Sequence, residues 1–339
     1  MTTTVNVQAP TRHPALQAWS DARGTSSKPA RVESLKQTRK TEVYRIQGVG
    51  PEGGNVIAKR GRALLVERER RVYEHVLSRL PALGVSYLGT LVDRGGRFAW
   101  LFTEEAAGEA YSPSLSEHRA SAARWLAQLH RSTCALSQDD WLPDRGPAHY
   151  WRRLNALRSA IGFRLSQPVW NADERRALDQ VSEACAAVDR TWSRVEAACG
   201  GVRASLVHGD FKQKNLRVRP GQGGPELEAF DWSNCGWGVP AVDLAQSSYA
   251  DRPLGANPDL DVYQSEAAPG QPRLTSSKVE ALALAGRVFR CLDMIGWEMV
   301  WMSAARMSRS AGEGGSWHQR PLANLHTCAD EMRWASADL

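Results

Sequence analysis

The chain has 339 residues, of which 42% are hydrophobic and 24% are charged, the balance of a globular protein with a sizeable core. Its start lacks the basic residues and apolar run of a secretory signal peptide. The most apolar late stretch, residues 281–305, is interrupted by charged residues. We therefore expect no membrane span and a cytoplasmic location.

The formal net charge is +6, and most of the positive excess falls within residues 1–80. No basic run is interleaved with aromatic residues, so we expect no nucleic-acid partner. The six cysteines are scattered without a C-x-x-C pair. This pattern favours free, mostly buried thiols over a disulfide framework or a zinc site.

The first hundred residues are rich in predicted strands. Residues 1–30 contain much Thr, Ser, Ala and Pro, and we interpret them as an extension that is partly disordered or holds a short helix at 16–22. Beyond them, short β-rich segments and one amphipathic helix are predicted. The strands are 31–35, 42–47, 55–59 and 97–103, and the helix is 64–80.

The remainder of the chain is predicted to be mostly helical. Three short strands interrupt it, at 206–207, 216–219 and 227–230. The predicted helices are 117–131, 151–163, 173–199, one that begins in the run 236–245 with Pro240 near its first turn, 279–305 and 320–336. Residues 249–278 contain four prolines and no helical period, so we interpret them as a long loop.

Residues 206–231, LVHGDFKQKNLRVRPGQGGPELEAFD, form the most informative segment. Asp210 follows a His-Gly turn, Asn215 comes five residues later, and Asp231 ends the second of two short strands. Phosphoryl transfer needs a carboxylate that orients the attacking hydroxyl, and oxygen ligands that hold Mg²⁺ against nucleotide phosphates. The spacing therefore predicts a kinase centre in which Asp210 faces the acceptor while Asn215 and Asp231 face the metal.

The H-G-D-x4-N loop at 208–215, followed by F-D-W at 230–232, resembles the aminoglycoside phosphotransferase family of small-molecule kinases. The resemblance implies an α+β, bilobal protein-kinase-like fold with a small β-rich N-lobe and a larger, mostly helical C-lobe. After the extension at 1–30, it places the nucleotide-binding N-lobe at 31–104. The catalytic and acceptor-binding C-lobe then covers 105–339.

The same resemblance implies the chemistry. The enzyme would move the γ-phosphate of ATP or GTP, with Mg²⁺, to a hydroxyl of a small molecule that is either an antibiotic or a metabolite. A basic N-lobe suits nucleotide phosphates, and a mildly acidic C-lobe would tolerate a cationic, aminoglycoside-like acceptor. An acceptor of that kind would make the protein an antibiotic-resistance enzyme.

The family pattern also assigns the nucleotide-binding residues. Lys59, at the end of the sequence N-V-I-A-K, resembles the Lys that neutralises the α- and β-phosphates. Its expected partner is Glu69 of the following helix, although Glu67 and Glu74 compete for that role. The expected adenine contacts are backbone groups of the hinge residues Glu104 and Ala106.

Further residues are expected around the catalytic Asp. Lys212 follows it by two residues, as in protein kinases, and is assigned a catalytic role. His208 and Asp243, the latter in a D-L-A sequence, are expected to support the catalytic loop from behind. For the acceptor, Asp293 and Glu298 with neighbouring tryptophans would form an amphipathic surface for a cationic or sugar-like molecule.

Residues 48–53 match the G-x-G-x-x-G pattern of nucleotide loops, but the position argues against that role. In a kinase lobe a whole strand separates the loop that covers the phosphates from the strand that ends at Lys59. We therefore interpret 48–53 as a turn between strands. The covering loop is then 36–41, where Arg39 and Lys40 would attract the phosphates.

Two other functions remain open from the sequence. A protein-directed kinase would be expected to show D-F-G and A-P-E segments, and neither follows Asp231. A nucleotide-binding pseudokinase that only regulates would be expected to lack one of the catalytic groups, and the chain contains all of them. The sequence carries no indication of oligomeric state.

Overall fold

The computed structural model describes residues 13–24, 31–38, 40–80, 83–136, 141–247, 255–271, 273–310 and 319–339. The chain divides into two compact units. The first comprises Met1–Tyr111 and Lys214–Cys235, and the second comprises Ser112–Gln213 and Gly236–Leu339. The lobe boundary at residue 104 remains a prediction about function.

A five-stranded antiparallel sheet forms the centre of the first unit, in the order β1-β2-β3-β5-β4. Its strands are β1 (Val32–Gln37), β2 (Glu42–Ile46), β3 (Val56–Arg62), β4 (Tyr87–Val92) and β5 (Phe98–Glu104). Four of the five coincide with predicted strands. The sequence does not predict β4, because it is a half-buried edge strand in which Gly89 accompanies a shift of register.

A short helix, α1 (Pro14–Arg23), packs against this sheet. The imidazole of His13 caps its start by accepting the N–H of Ala15, and Gly24 ends it. Leu16 and Trp19 are buried in one cluster with apolar residues of the sheet, Val32, Ile46 and Phe102 among them. The ancillary helix predicted at 16–22 is therefore present.

The helix predicted at 64–80 has three parts. The α-helical part is α2 (Ala63–Arg71), which continues as a π-helical turn at Val72–Val76 and a 3-10 turn at Leu77–Arg79. Val72, Tyr73 and Val76 are buried, which confirms the apolar face that the sequence predicts. The hydrogen-bond pattern within that face was not predicted, because the apolar spacing does not distinguish π from α turns.

The other strands of the first unit form a small antiparallel sheet in the order β6-β8-β9. They are β6 (Glu109–Ala110), β8 (Leu216–Arg219) and β9 (Glu226–Ala229). The β8–β9 hairpin pairs Leu216 with Ala229, and the N–H of Phe230 donates to the carbonyl of Asn215 at 3.1 Å. The hairpin register therefore brings Asn215 beside the residue that precedes Asp231.

The second unit is mostly helical, with one two-stranded sheet of β7 (Ser205–Val207) and β10 (Gly236–Gly238). Its helices are α3 (Ser116–Thr133), α4 (Pro147–Leu165), α5 (Ala172–Arg190), α6 (Trp192–Cys199), α7 (Ala241–Leu244), α8 (Leu260–Ala267), α9 (Ser276–Ser310) and α10 (Gln319–Asp338). Together with the sheets of the first unit, they confirm the predicted protein-kinase-like class.

Three predictions about the second unit were wrong in detail. The helix predicted at 173–199 is divided at Thr191 into α5 and α6, and the segment before Pro240 forms β10. The stretch at 249–278 is not a continuous loop, because α8 begins after Asp259, whose carboxylate accepts the N–H groups of Asp261 and Val262. Its eight residues are too short to show a period between flanking prolines. Residues 248–254 and 272 lie outside the described residues.

The six cysteines are free, and five of them are buried. Burial raises the pKa of the Cys185 and Cys199 thiols to about 12, so both are protonated at neutral pH. Within the part of the chain that the structure describes, no helix is both long and apolar enough to cross a membrane.

We predict that Gly53→Ala lowers the free energy of unfolding by about 1 kcal/mol, because Gly53 has a φ of 78°, where a side chain is strained. The control is Gly162→Ala inside α4, where an added methyl group meets no atom within 4 Å. That variant should gain about 0.5–1 kcal/mol through helix propensity. Urea denaturation of both variants measures the difference, and equal shifts would contradict the assignment of 48–53 as a strained turn.

Candidate nucleotide and catalytic sites

In the first unit, Lys59 lies between two carboxylates. Its Nζ is 2.6 Å from Oε1 of Glu69 and 2.6 Å from Oδ1 of Asp231. The Glu69 side chain is 1% exposed, whereas the Asp231 side chain is 25% exposed. The site therefore has a closed side at Glu69 and a side open to solvent at Asp231.

Of the three glutamates that the sequence offers on this helix, Glu69 is the one that contacts Lys59. Glu67 forms ion pairs with Arg70 and Arg71, and Glu74 pairs with Arg70. These partners lie three or four residues away on the same helix, the separation at which side chains meet on its surface. Glu69 is buried beneath them against the sheet.

The electrostatics follow from one buried cation facing two acids. Burial lowers the pKa of Lys59, but Glu69 and Asp231 raise it by more, so the amine stays protonated. Burial raises the pKa of Glu69 to about 7, although the attraction to Lys59 opposes the rise. Near neutral pH the Glu69 carboxyl is therefore only partly ionised beside the charged Lys59.

Asp231 has a left-handed backbone, with φ 68° and ψ 66°. A non-glycine residue in this region costs about 1–2 kcal/mol, and such strain is typical of functional positions. The Oγ of Ser233 donates to Asp231 Oδ1 at 2.8 Å, and the Arg68 guanidinium donates to the carbonyl of Ser233. Together with the ion pair to Lys59, these contacts fix the direction of the Asp231 carboxylate.

The predicted hinge residues line a cavity of about 390 Å³ in the first unit. Its lining residues are Pro51, Gly54, Asn55 and the continuous segment from Glu104 to Gly108. The N–H of Glu104 already donates to the carbonyl of Ser86 at 2.9 Å. An adenine contact at Glu104 would therefore use its carbonyl.

The side chain of Glu105 fixes this hinge to the sheet, a role that the sequence analysis missed. It accepts hydrogen bonds from Arg45 on β2 and from Asn55, the residue before β3. Arg45 also pairs with Glu33 on β1. The sequence could have indicated this role through acids and bases that face each other on adjacent strands. That pairing can be recognised only once the strand register is known.

Residues 48–53 connect β2 to β3, and the loop 38–41 connects β1 to β2. In the latter, Thr38 Oγ1 accepts the N–H groups of Lys40 and Thr41, which makes a tight turn. Lys40 is exposed, and Arg39 lies outside the described residues. The strand connections agree with the prediction, while the binding of phosphate by Arg39 and Lys40 stays a prediction.

In the second unit, Asp243 holds the backbone of the loop that contains Asp210. Its carboxylate accepts the N–H of His208 at 2.7 Å and the N–H of Gly209 at 2.9 Å. The side chain is buried, and burial raises its pKa. The hydrogen bonds and charges of His130 and His208 lower that pKa by more, so Asp243 remains ionised.

Asp210 is held by an arginine that the sequence analysis did not assign to the site. Nη2 of Arg290, on α9, lies 2.9 Å from Asp210 Oδ1, and Nη1 lies 2.6 Å from the carbonyl oxygen of Gly209. Arg290 is 1% exposed. The available signal was its place in the apolar stretch 281–305, because a buried Arg needs an anionic partner.

Two other neighbours of Asp210 were predicted. Lys212 Nζ is 3.6 Å from Asp210 Oδ1, and the N–H of Asp210 points at Nδ1 of His208 at 3.3 Å. Burial lowers the pKa of Arg290, but Asp210 and Asp293 raise it by more. Two cations therefore face the Asp210 carboxylate, which suits a group whose direction must be fixed to orient a hydroxyl.

A family model described as the phosphotransferase enzyme family matches residues 38–275, more than two thirds of the chain. The chain belongs to this family, and it is a phosphotransferase that acts on hydroxyl groups of small molecules. A search of curated protein sequences gives no match.

Solved structures with a similar fold share little sequence with the chain. An aminoglycoside phosphotransferase in complex with GDP and kanamycin has a TM-score of 0.60 and 10% identity, over 93% of this chain and 97% of that one. A spectinomycin phosphotransferase with ADP and spectinomycin has a TM-score of 0.58 and 10% identity, over 96% and 98%. An ethanolamine kinase of Plasmodium vivax has a TM-score of 0.54 and 11% identity, over 90% and 84%.

We predict that Glu69→Gln lowers kcat/KM for the nucleotide about 100-fold, because Lys59 would then be positioned by Asp231 alone. The matched control is Glu67→Gln on the same helix, which breaks only exposed ion pairs worth at most about 1 kcal/mol. Steady-state kinetics over a range of nucleotide concentrations measures both. Equal losses in the two variants would remove Glu69 from the site.

We predict that Arg290→Met lowers kcat about 100-fold with the nucleotide KM unchanged, because Asp210 loses the contact that directs its carboxylate. The orphaned carboxylate should also lower the free energy of unfolding by about 3 kcal/mol or more. The double variant Arg290→Met/Asp210→Asn should recover much of that stability but no activity, and Arg290→Lys should recover part of kcat. Full activity in Arg290→Met would show that the contact is only structural.

Proposed function

We propose that the protein transfers the γ-phosphate of ATP or GTP, with Mg²⁺, to a hydroxyl of a small molecule. The observation that supports this best is the Lys59 amine held 2.6 Å from both Glu69 and Asp231, one acid buried and one open to solvent. A surface ion pair does not need two acids around one lysine. A lysine that must contact phosphates and remain charged does need that arrangement.

The first unit supplies the residues for nucleotide and metal in this proposal. Lys59 contacts the α- and β-phosphates, Glu69 orients Lys59, and the adenine or guanine edge meets the carbonyl of Glu104 and the backbone of Ala106. The loop with Arg39 and Lys40 adds positive charge near the phosphates. Similar folds have been solved with ADP and with GDP, so both nucleotides are candidates.

Asn215 and Asp231 offer the oxygen ligands that Mg²⁺ prefers, and the β8–β9 hairpin fixes them near one another. Among the described residues, no cluster of three or more His, Cys, Asp or Glu side chains could hold a metal ion by itself. This agrees with Mg²⁺, which takes most of its ligands from nucleotide phosphates and water. When bound, it would neutralise charge on the phosphate oxygens.

Asp210 is the proposed catalytic residue of the second unit. It accepts a hydrogen bond from the acceptor hydroxyl and aligns the oxygen with the γ-phosphorus. The new O–P bond forms as the bond to the β–γ bridging oxygen breaks, the nucleoside diphosphate leaves, and the hydroxyl proton passes to Asp210. Arg290 and Lys212 hold the carboxylate in place, while Asp243 fixes the backbone of His208 and Gly209.

Of the other functions, a protein-directed kinase has the weaker support, because Trp232 and Ser233 stand where Phe-Gly would follow the metal Asp. A pseudokinase role would be supported by nucleotide binding without turnover. Assays of candidate acceptors distinguish an antibiotic from a metabolite. Their result also decides whether the protein has a role in antibiotic resistance. A cytoplasmic location remains a prediction that fits the use of a nucleoside triphosphate.

We predict that Asp210→Asn lowers turnover about 1,000-fold or more while nucleotide affinity changes little, because only the orientation of the acceptor is lost.

Asp231→Asn should instead abolish Mg²⁺-dependent nucleotide binding, since Asn keeps the left-handed backbone but loses the charge. Calorimetry with Mg-ATP and Mg-GTP, together with nucleotide consumption over a panel of hydroxyl compounds, measures both effects. Asp189→Asn, which breaks an ion pair with Arg158, is the control.

Retention of turnover within a few fold in Asp210→Asn would remove that residue from the mechanism. Unchanged Mg-nucleotide affinity in Asp231→Asn would show that the metal assignment is wrong.

A further inference from the structure

Among the described side chains of α9, three large apolar ones are exposed. Trp297 is 36% exposed, Val300 57% and Trp301 53%. Burial of rings of this size usually contributes strongly to a core, so a pair of exposed tryptophans one helical turn apart indicates a surface that binds something. We call Trp297 and Trp301 the tryptophan wall.

The tryptophan wall lies on the same helix, α9, as the arginine that contacts Asp210. Arg290, which holds Asp210, lies seven residues before Trp297 and eleven before Trp301. These separations place the three side chains on one face of α9. At 1.5 Å per residue, the two rings begin about 10 Å and about 16 Å along the helix axis from Arg290.

A side-chain contact closes the gap between the wall and the catalytic carboxylate. Lys212 Nζ lies 3.6 Å from Asp210 Oδ1 and 5.6 Å from the centre of the Trp297 ring. That second distance is within the range of a cation–π interaction. Trp297 is therefore linked to the Asp210 carboxylate through the Lys212 side chain.

The acids that could attract a cation to the wall are already engaged. Asp293 is 4% exposed, and its carboxylate lies 2.9 Å from Nε of Arg153 and 3.7 Å from Nη1 of Arg145. Glu298 accepts a hydrogen bond from Asn324. The Asp293 charge is therefore offset by two arginines, while the Glu298 carboxylate is held towards α10.

The charge balance next to Asp210 also opposes a cationic acceptor. Lys212 and Arg290 both face its carboxylate. Asp210 contributes −1 and the two cations +1 each, so these three groups carry a net charge of +1, which disfavours an ammonium group beside the reacting hydroxyl. Positive charge on the acceptor is disfavoured where the phosphate must arrive.

We propose that the acceptor is an uncharged, elongated hydroxyl compound with apolar ring faces, such as an aromatic glycoside, which stacks on Trp297 and Trp301 while it presents its hydroxyl to Asp210. This proposal rests on the proposed function and names the substrate class of the same site. Ring faces match the flat, polarisable surface of indole, and the sugar hydroxyls satisfy the polar groups around the catalytic loop.

The test uses the full chain with Mg-ATP and Mg-GTP and four acceptors. The uncharged pair is 4-nitrophenyl glucoside and 4-nitrophenyl maltoside, and the cationic pair is kanamycin and ethanolamine. We expect kcat/KM at least about 10-fold higher for the better glycoside than for either cation. We also expect the maltoside to exceed the glucoside, because it is long enough to meet both rings.

Variants test the wall directly. Trp297→Ala and Trp301→Ala should each raise the glycoside KM about 10-fold, a loss of about 1.4 kcal/mol of binding, and leave the nucleotide KM unchanged. The control is Trp334→Ala on α10, an exposed tryptophan that stacks on Arg287 instead. Its glycoside KM should not change.

Either of two results overturns the proposal. One is phosphorylation of kanamycin or ethanolamine in preference to both glycosides, or no phosphorylation of the glycosides at all. The other is the same glycoside KM in the wall variants as in Trp334→Ala. Basal nucleotide hydrolysis that Asp210→Asn abolishes would still support the proposed function in those cases, whereas its absence would count against the proposed function itself.

Discussion

The burial of acidic groups is the constraint on which both parts of the molecule depend. Asp243, Asp210 and Glu69 are each at most 3% exposed, and an isolated carboxylate in such a place would be very costly. Each therefore has a dedicated partner: backbone N–H groups and His130, Arg290, and Lys59, respectively. Because removal of a partner leaves a buried charge behind, the chemistry and the stability of these loops are coupled.

The residues that could be predicted are those whose chemistry is local in the sequence. Asp210, Asn215 and Asp231 lie within one run of 22 residues, and their spacing already indicates metal-assisted phosphoryl transfer. Lys59 could be placed on a strand because an apolar segment precedes it, and counting strands identified 48–53 as part of the connection between β2 and β3. Each inference used only the reach of a strand or the ligands that a metal prefers.

The residues that could not be predicted act across long separations. Arg290 is 80 residues from Asp210 in sequence, and Glu105 is 60 residues from Arg45, so only the folded chain shows that they meet. Helix α8 was missed because a single cap and eight residues carry too little periodic signal between prolines. The π-helical turn after α2 was missed because burial constrains which face is apolar and not which carbonyl accepts each N–H.

Helix α9 is held in place by contacts with two other helices. Gly286 allows α7 to approach it, since an added methyl group would lie 1.8 Å from the carbonyl oxygen of Ala241, while Arg287 is tied to Glu331 of α10 at 3.1 Å. These contacts anchor α9 one turn before Arg290, and a regular helix beyond that point attaches Trp297 and Trp301 at set distances along its axis. Acceptors would then be sorted by their dimensions as well as their polarity: a compound whose hydroxyl and ring lie too close together could satisfy one end of the surface but never both.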